Sequence, residues 1–241
     1  MKRGQVTYFI IAGLIVLLAV ILIFSARLSF LKDVYEEQTN KLIGVPADIK
    51  PVEDYIQGCL NDVSKTGVDF VLLQGGYYGP NNSVELDLFK VAYWYDGKDV
   101  SPSLETVQNE ISKFIDENIV SCIINFPDNN YNLTFKEQKA STKINNKNIL
   151  INLNLNMNIN FKNITFKLNK RFNVKLDSDA YDIYNSAKEI VKSEELNPSD
   201  IDLTFLAEIP YDINFFKNEE NEIVYVMESN QTTLYFANRF K

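Results

Sequence analysis

Apolar and polar positions alternate over residues 149–161, where Ile149, Ile151, Leu153, Leu155, Met157, Ile159 and Phe161 are separated by Asn152, Asn154, Asn156, Asn158 and Asn160. The pattern repeats at once: Ile164, Phe166, Leu168, Phe172, Val174 and Leu176 alternate with Thr165, Lys167, Asn169, Arg171, Asn173 and Lys175. Period two is what a strand with one buried face requires. Taking Lys162-Asn163 as a two-residue turn sets Phe161 against Ile164, Met157 against Leu168 and Ile151 against Val174. A one-residue slip would turn every apolar side chain to water, so this register is well specified. Only Lys170 interrupts the apolar row. The opposite face, a ladder of Asn, Thr, Lys and Arg, is read as solvated, with contact to a glycan or a neighbouring subunit as the alternative.

Elsewhere the period lengthens to that of a helix. Pro51 opens one, with Val52, Tyr55, Ile56, Cys59, Leu60 and Val63 on a face that runs to about Gln74, and Gly75-Gly76 ends it. Ser103 caps another that reaches about Asn125, with Val107, Ile111, Phe114, Ile115, Ile119 and Cys122 in phase. Asp177-Ser178 begins a third, from Ala180 to about Ser193, before Leu196-Asn197-Pro198 breaks it. Strands are predicted over 84–95, 209–215, 223–227 and 233–240, with 217–221 as a loop. Trp94, between Tyr93 and Tyr95, reads as core or subunit contact, with sugar stacking as the alternative.

The start of the chain has neither period. Residues 6–26 hold 21 positions without one charge, which in helical form span roughly 30 Å, the thickness of a bilayer's hydrocarbon core. An apolar stripe continues through Leu28, Leu31, Val34, Tyr35 and Leu42 until Gly44-Val45-Pro46. The expected fold is therefore α+β: a long N-terminal hydrophobic helix over 5–44, membrane-spanning or filament-forming in its first half, followed by a body of helices and antiparallel sheet. The expected segments are 1–4, 5–44 and a body over 51–241, divisible into a mainly helical part (51–126) and a mainly β part (127–241).

Composition narrows the chemistry. The 46% apolar content is enough to build a core, and a net charge of -8 repels nucleic acid and anionic lipid. Histidine is absent, which closes Ser-His-Asp and Cys-His nucleophiles, His zinc sites and imidazole bases. The carboxylate pairs Glu36-Glu37, Glu194-Glu195 and Glu219-Glu220 fall on polar faces or loops and read as solvated. No enzyme, cofactor or metal site is expected.

Cys59 and Cys122 lie on two predicted helices that could pack side by side; outside the cell they would pair, and inside they would stay buried thiols. Asn81, Asn132, Asn163 and Asn230 each head an Asn-x-Ser/Thr sequon, which tilts topology toward an external body.

The order of parts at the N-terminus, Lys2-Arg3-Gly4-Gln5 and then the uncharged run, resembles the class III signal of archaeal type IV pilins and related surface-filament subunits. The resemblance covers about the first 30 residues. It implies a membrane peptidase cut between Gly4 and Gln5 that leaves the apolar segment on the mature chain. The glutamate that bacterial pilins carry early in that segment is missing here, where Val6-Thr7-Tyr8-Phe9 stands instead; archaeal filaments fit better. A plain anchor and a cleaved secretory signal are the competing readings, the latter lacking a small-x-small cleavage site. The implied function is a structural subunit at the cell membrane and surface. Its implied partners are copies of itself, the membrane and a prepilin-type peptidase, with no nucleic acid. The alternative is a membrane-anchored surface glycoprotein acting as a binding or adhesion module.

Overall fold

A computed structural model describes residues 49–196, 201–217 and 222–240, which belong to one unit, 49–241. In chain order the elements are α1 (Lys50–Leu73), β1 (Ser83–Glu85), β2 (Lys90–Asp96), α2 (Leu104–Ile123), β3 (Tyr131–Asn145), β4 (Asn148–Phe161) and β5 (Ile164–Asp177). They continue as α3 (Ala180–Leu196), α4 (Leu203–Glu208), β6 (Asp212–Lys217), β7 (Glu222–Glu228) and β8 (Thr233–Arg239).

The alternation of 149–176 becomes the β4–β5 hairpin in the expected register, from Phe161 opposite Ile164 to Asn148 opposite Asp177. Lys162 takes a left-handed φ of 48° in the turn. Every odd-numbered side chain of β4 from Ile149 to Ile159 is buried, and the asparagines, with the exposed Leu150, face the other way. Burial of one face and solvation of the other leave no second register of comparable energy.

β3 completes this three-stranded sheet, in the order β3-β4-β5, and the hydrophobic pattern does not announce it. A bulge between Phe135 and Glu137 explains why: Tyr131, Leu133 and Phe135 share one face, and beyond the bulge that face passes to Gln138, Ala140, Thr142 and Ile144. One extra residue switches the inward set from odd to even numbers, so no single period spans the strand.

The α2 helix runs along the free edge of β3 and supplies partners for it. Ala140 N–H donates to Asp116 Oδ1 (2.6 Å), Ile144 N–H to Gln108 Oε1 (2.8 Å), and Ser112 Oγ to Thr142 Oγ1 (2.9 Å). Four helical residues advance about 6 Å and two strand residues about 6.7 Å, so positions 108, 112 and 116 keep step with 144, 142 and 140. An edge that would otherwise invite another strand is closed by side chains.

The second sheet has five strands in the order β1-β2-β8-β7-β6. Both α1 and α3 touch the two sheets, β5 and β8 for the first and β2, β3 and β8 for the second. One apolar core therefore runs from Ile149 and Leu153 through Ile56, Ile115 and Ile190 to Trp94, Tyr225 and Phe236. A smaller cluster of Val84, Val91, Tyr93, Val224 and Ala237 covers the far side of the second sheet.

Helix ends follow local chemistry. Ser103 Oγ accepts from Thr106 N–H (3.1 Å), Pro51 sits in the first turn of α1, and Gly75 and Gly76, with φ of 75° and 86°, take the left-handed turn beyond it. The short α4, capped by Asp202 through Phe205 N–H, lies between the break after Leu196 and the strand expected from Ile209, in a stretch for which the pattern predicts no element.

Two features of the expected fold are corrected. Among the described residues no helix is long and apolar enough to cross a membrane; the charges of α1 and α2 mark them as amphipathic helices of a packed body. The hydrophobic helix expected over 5–44 lies outside the described residues, as do Pro198 and residues 218–221 of the expected loop. The expectation of an antiparallel sheet also fails for the larger sheet, where β8 inserts between β2 and β7 and runs parallel to β2. These partners are more than 130 residues apart, beyond the reach of turn and hairpin signals.

Candidate functional site

Gly4 and Gln5, the expected processing site, lie outside the described residues. Cys59 and Cys122 form a disulfide with a Cα–Cα distance of 5.8 Å, joining α1 to α2 where the helices pack. Gly67, further along α1, lets the helices approach: a Cβ there would sit 2.6 Å from Phe114 Cδ1.

All four sequon asparagines are exposed. Asn81 lies in the loop before β1, Asn132 at the start of β3 on the asparagine face, Asn163 in the β4–β5 turn and Asn230 in the β7–β8 turn. Their hydroxyl partners differ. Thr134 and Thr165 are exposed, whereas Thr232 is buried against Ser178, with Oγ atoms 3.0 Å apart.

Burial overturns the solvated reading of Glu194. Its carboxylate is 4% exposed and accepts from the Tyr225 hydroxyl on one oxygen and from Asn238 Nδ2 on the other. Desolvation raises its pKa above the ordinary 4.5, against the opposing pull of those two hydrogen bonds. Burial, with the Glu194 charge beside it, likewise pushes the Tyr225 phenol up. Glu195 is exposed, as expected; Glu36, Glu37, Glu219 and Glu220 lie outside the described residues. Glu194 sits on the inner face of the α3 helix, so its helical phase, rather than the acidic pair, was the available signal.

Trp94 is fully buried, its indole N–H donating to Gly75 O (2.9 Å), which excludes it as a sugar platform. A cavity of about 410 Å³ opens nearby, lined by Tyr77, Tyr78, Tyr93, Val100, Glu110 and Lys113 among others. Glu110 is engaged there by Tyr78 N–H (3.0 Å), and Lys113 stands 5.5 Å over the Tyr78 ring. No nucleophile–base pair is among these side chains.

The most distinctive surface is the outer face of the three-stranded sheet. Its central column is Asn152, Asn154, Asn156, Asn158 and Asn160 on β4, flanked by Lys139 and Lys143 on β3 and by Lys167, Arg171 and Lys175 on β5. All five cations are exposed, and none forms an ion pair with another described residue. The register sets Lys139 and Arg171 on either side of Asn154, and Lys143 and Lys175 on either side of Leu150. Arg171 Nε donates to Asn154 Oδ1 (3.0 Å), which orients that amide. The signal was present in the chain, because residues 131–176 hold nine Lys/Arg against one Asp/Glu in a protein of net charge -8. Averaging charge over the whole length hid it.

No protein-family model, no curated protein and no solved structure matches this chain.

Proposed function

We propose that this chain is a structural subunit of a surface filament of the archaeal type IV pilus-like kind, held together through its apolar N-terminal segment. The observation that carries the reading is the placement of Lys2-Arg3-Gly4-Gln5 directly ahead of 21 uncharged residues. A membrane peptidase cutting after Gly4 would leave that segment at the new N-terminus. Copies drawn from the bilayer would then pack by it, exchanging lipid contact for contact with one another.

The described body supports outward display. A disulfide persists in oxidising surroundings, and four exposed sequon asparagines suit a surface that meets a glycosylation system. Glycosylation at Asn132 or Asn163 would coat the hairpin-tip end of the three-stranded sheet.

Mass spectrometry of the native N-terminus tests the processing step. A mature chain beginning at Gln5 supports it, and an intact Met1 removes it. Electron microscopy of native cell surfaces tests assembly, since the filament reading requires polymers containing this subunit.

A further inference from the structure

We infer that the outer face of the β3–β4–β5 sheet is a binding surface for an acidic polysaccharide. Lys139, Lys143, Arg171 and Lys175 mark four corners of a patch. Across β4 the flanking strands are about 10 Å apart, and four residues along a strand cover about 13 Å. Inside that rectangle lie the hydroxyl and amide groups of Ser141, Asn152 and Asn173, each able to exchange hydrogen bonds with sugar hydroxyls. Cations at the corners and neutral donors and acceptors between them match a hydroxylated chain bearing acid groups at intervals.

The composition of the face decides among anionic partners. It carries no aromatic side chain, so it lacks the stacking platform by which single-stranded nucleic acid is held. Leu150 is its only large apolar residue, too little to enter a lipid surface. A second copy of the chain could offer carboxylates, but the acidic groove bearing Asp179, Asp212 and Glu228 is a concavity of about 740 Å³, which a flat sheet face does not fill.

Net charge does not forbid the contact. The face does carry two carboxylates, Glu137 two residues from Lys139 and Asp177 two residues from Lys175, against the five cations Lys139, Lys143, Lys167, Arg171 and Lys175. At about 0.1 M salt, charges more than ~10 Å from the ligand are largely screened, so the bound polymer senses this local cationic excess rather than the acidic remainder. The sequons at Asn132 and Asn163 lie toward the hairpin tip, level with points roughly 20 Å and roughly 26 Å along β5 from Arg171, and leave the rectangle open. Outward display is needed only for the protein to meet such a polymer in the cell. Binding by the purified chain is independent of N-terminal processing, so either idea can fail alone.

The test uses the full-length chain in detergent against immobilised heparin and polygalacturonate, with oligo-dT as the nucleic-acid arm. Retention at about 0.1 M salt and release well below about 1 M are expected. The K139Q/R171Q/K175Q variant should bind about ten- to a hundredfold more weakly. The charge-matched K65Q/K98Q/K192Q variant should bind as the parent does. Thermal melts confirm that both variants fold, and R171K should restore most of the affinity of R171Q. Absence of retention, equal loss in both triple variants, or equally tight oligo-dT binding through the same three residues would overturn the proposal. So would self-association that disappears with K139Q/R171Q/K175Q while neither polysaccharide binds.

Discussion

Lys170 Nζ lies 2.9 Å from Glu53 Oε2, tying the middle of the apolar row of β5 to the first turn of α1. The one residue that interrupts the hydrophobic alternation is therefore the one that meets a nearly buried carboxylate. Glu53 sits at a helix N-terminus, where the backbone dipole also favours its charge. Replacing Lys170 with Met leaves Glu53 desolvated and unpaired, at a cost of about 1–3 kcal/mol. The double variant E53L/K170M should recover most of that loss. A double-mutant cycle by urea unfolding checks it; equal instability of single and double variants would contradict the pairing argument.

The β3 edge depends on three side chains of α2. Asp116→Ala removes the acceptor of Ala140 N–H and should cost about 1–3 kcal/mol, with faster amide exchange at Ala140. Asp116→Asn keeps an acceptor oxygen and should restore protection. Hydrogen exchange resolved by residue tests this, and unchanged protection in the alanine variant would show that the contact is dispensable.

Opening the disulfide releases a loop of 63 residues, a destabilisation of about 4 kcal/mol on the chain-entropy model. For a body of this size the melting temperature should fall by roughly 8–16 °C in reductant or in C59S/C122S. Calorimetry with and without reductant measures it. A shift below a few degrees would mean the unfolded state is little restricted by the link.

Glu194 gives the body a specific pH dependence. Its folded-state pKa is raised, so as pH rises above the ordinary 4.5 the unfolded chain ionises more readily than the folded one. Stability contributed by this group is therefore lost with rising pH until the folded-state value is passed. Glu194→Gln removes the loss; its carbonyl oxygen can still accept from Tyr225, and a turn of the Asn238 side-chain amide would bring Oδ1, which has no partner among the described residues, to accept from the new N–H. The variant should gain stability relative to the parent between pH 5 and neutrality, and should be no more stable near pH 4. Paired denaturation curves across that range decide it.

At Asn230 the sequon is exposed but its Thr232 hydroxyl is buried against Ser178, so glycan transfer to the folded body should be disfavoured there. Asn163, with exposed Thr165, has no such block. Glycopeptide mapping of native protein should find Asn163 at higher occupancy than Asn230, and the reverse order would refute the accessibility argument.

The chain by itself determined the features that one unbroken local period or turn signal spells out. The β4–β5 register follows from period two and a two-residue turn, and the three longest described helices from period 3.6 with Pro51, Ser103 and the Asp177-Ser178 start. Only tertiary structure decided what depends on distant partners: β8 beside β2, the helix-capped β3 strand, the burial of Glu194, and the gathering of Lys139, Arg171 and Lys175 on one face. A local pattern fixes a residue's direction from its own backbone. It cannot fix which remote surface lies opposite, because that is chosen by the packing of all the apolar faces together.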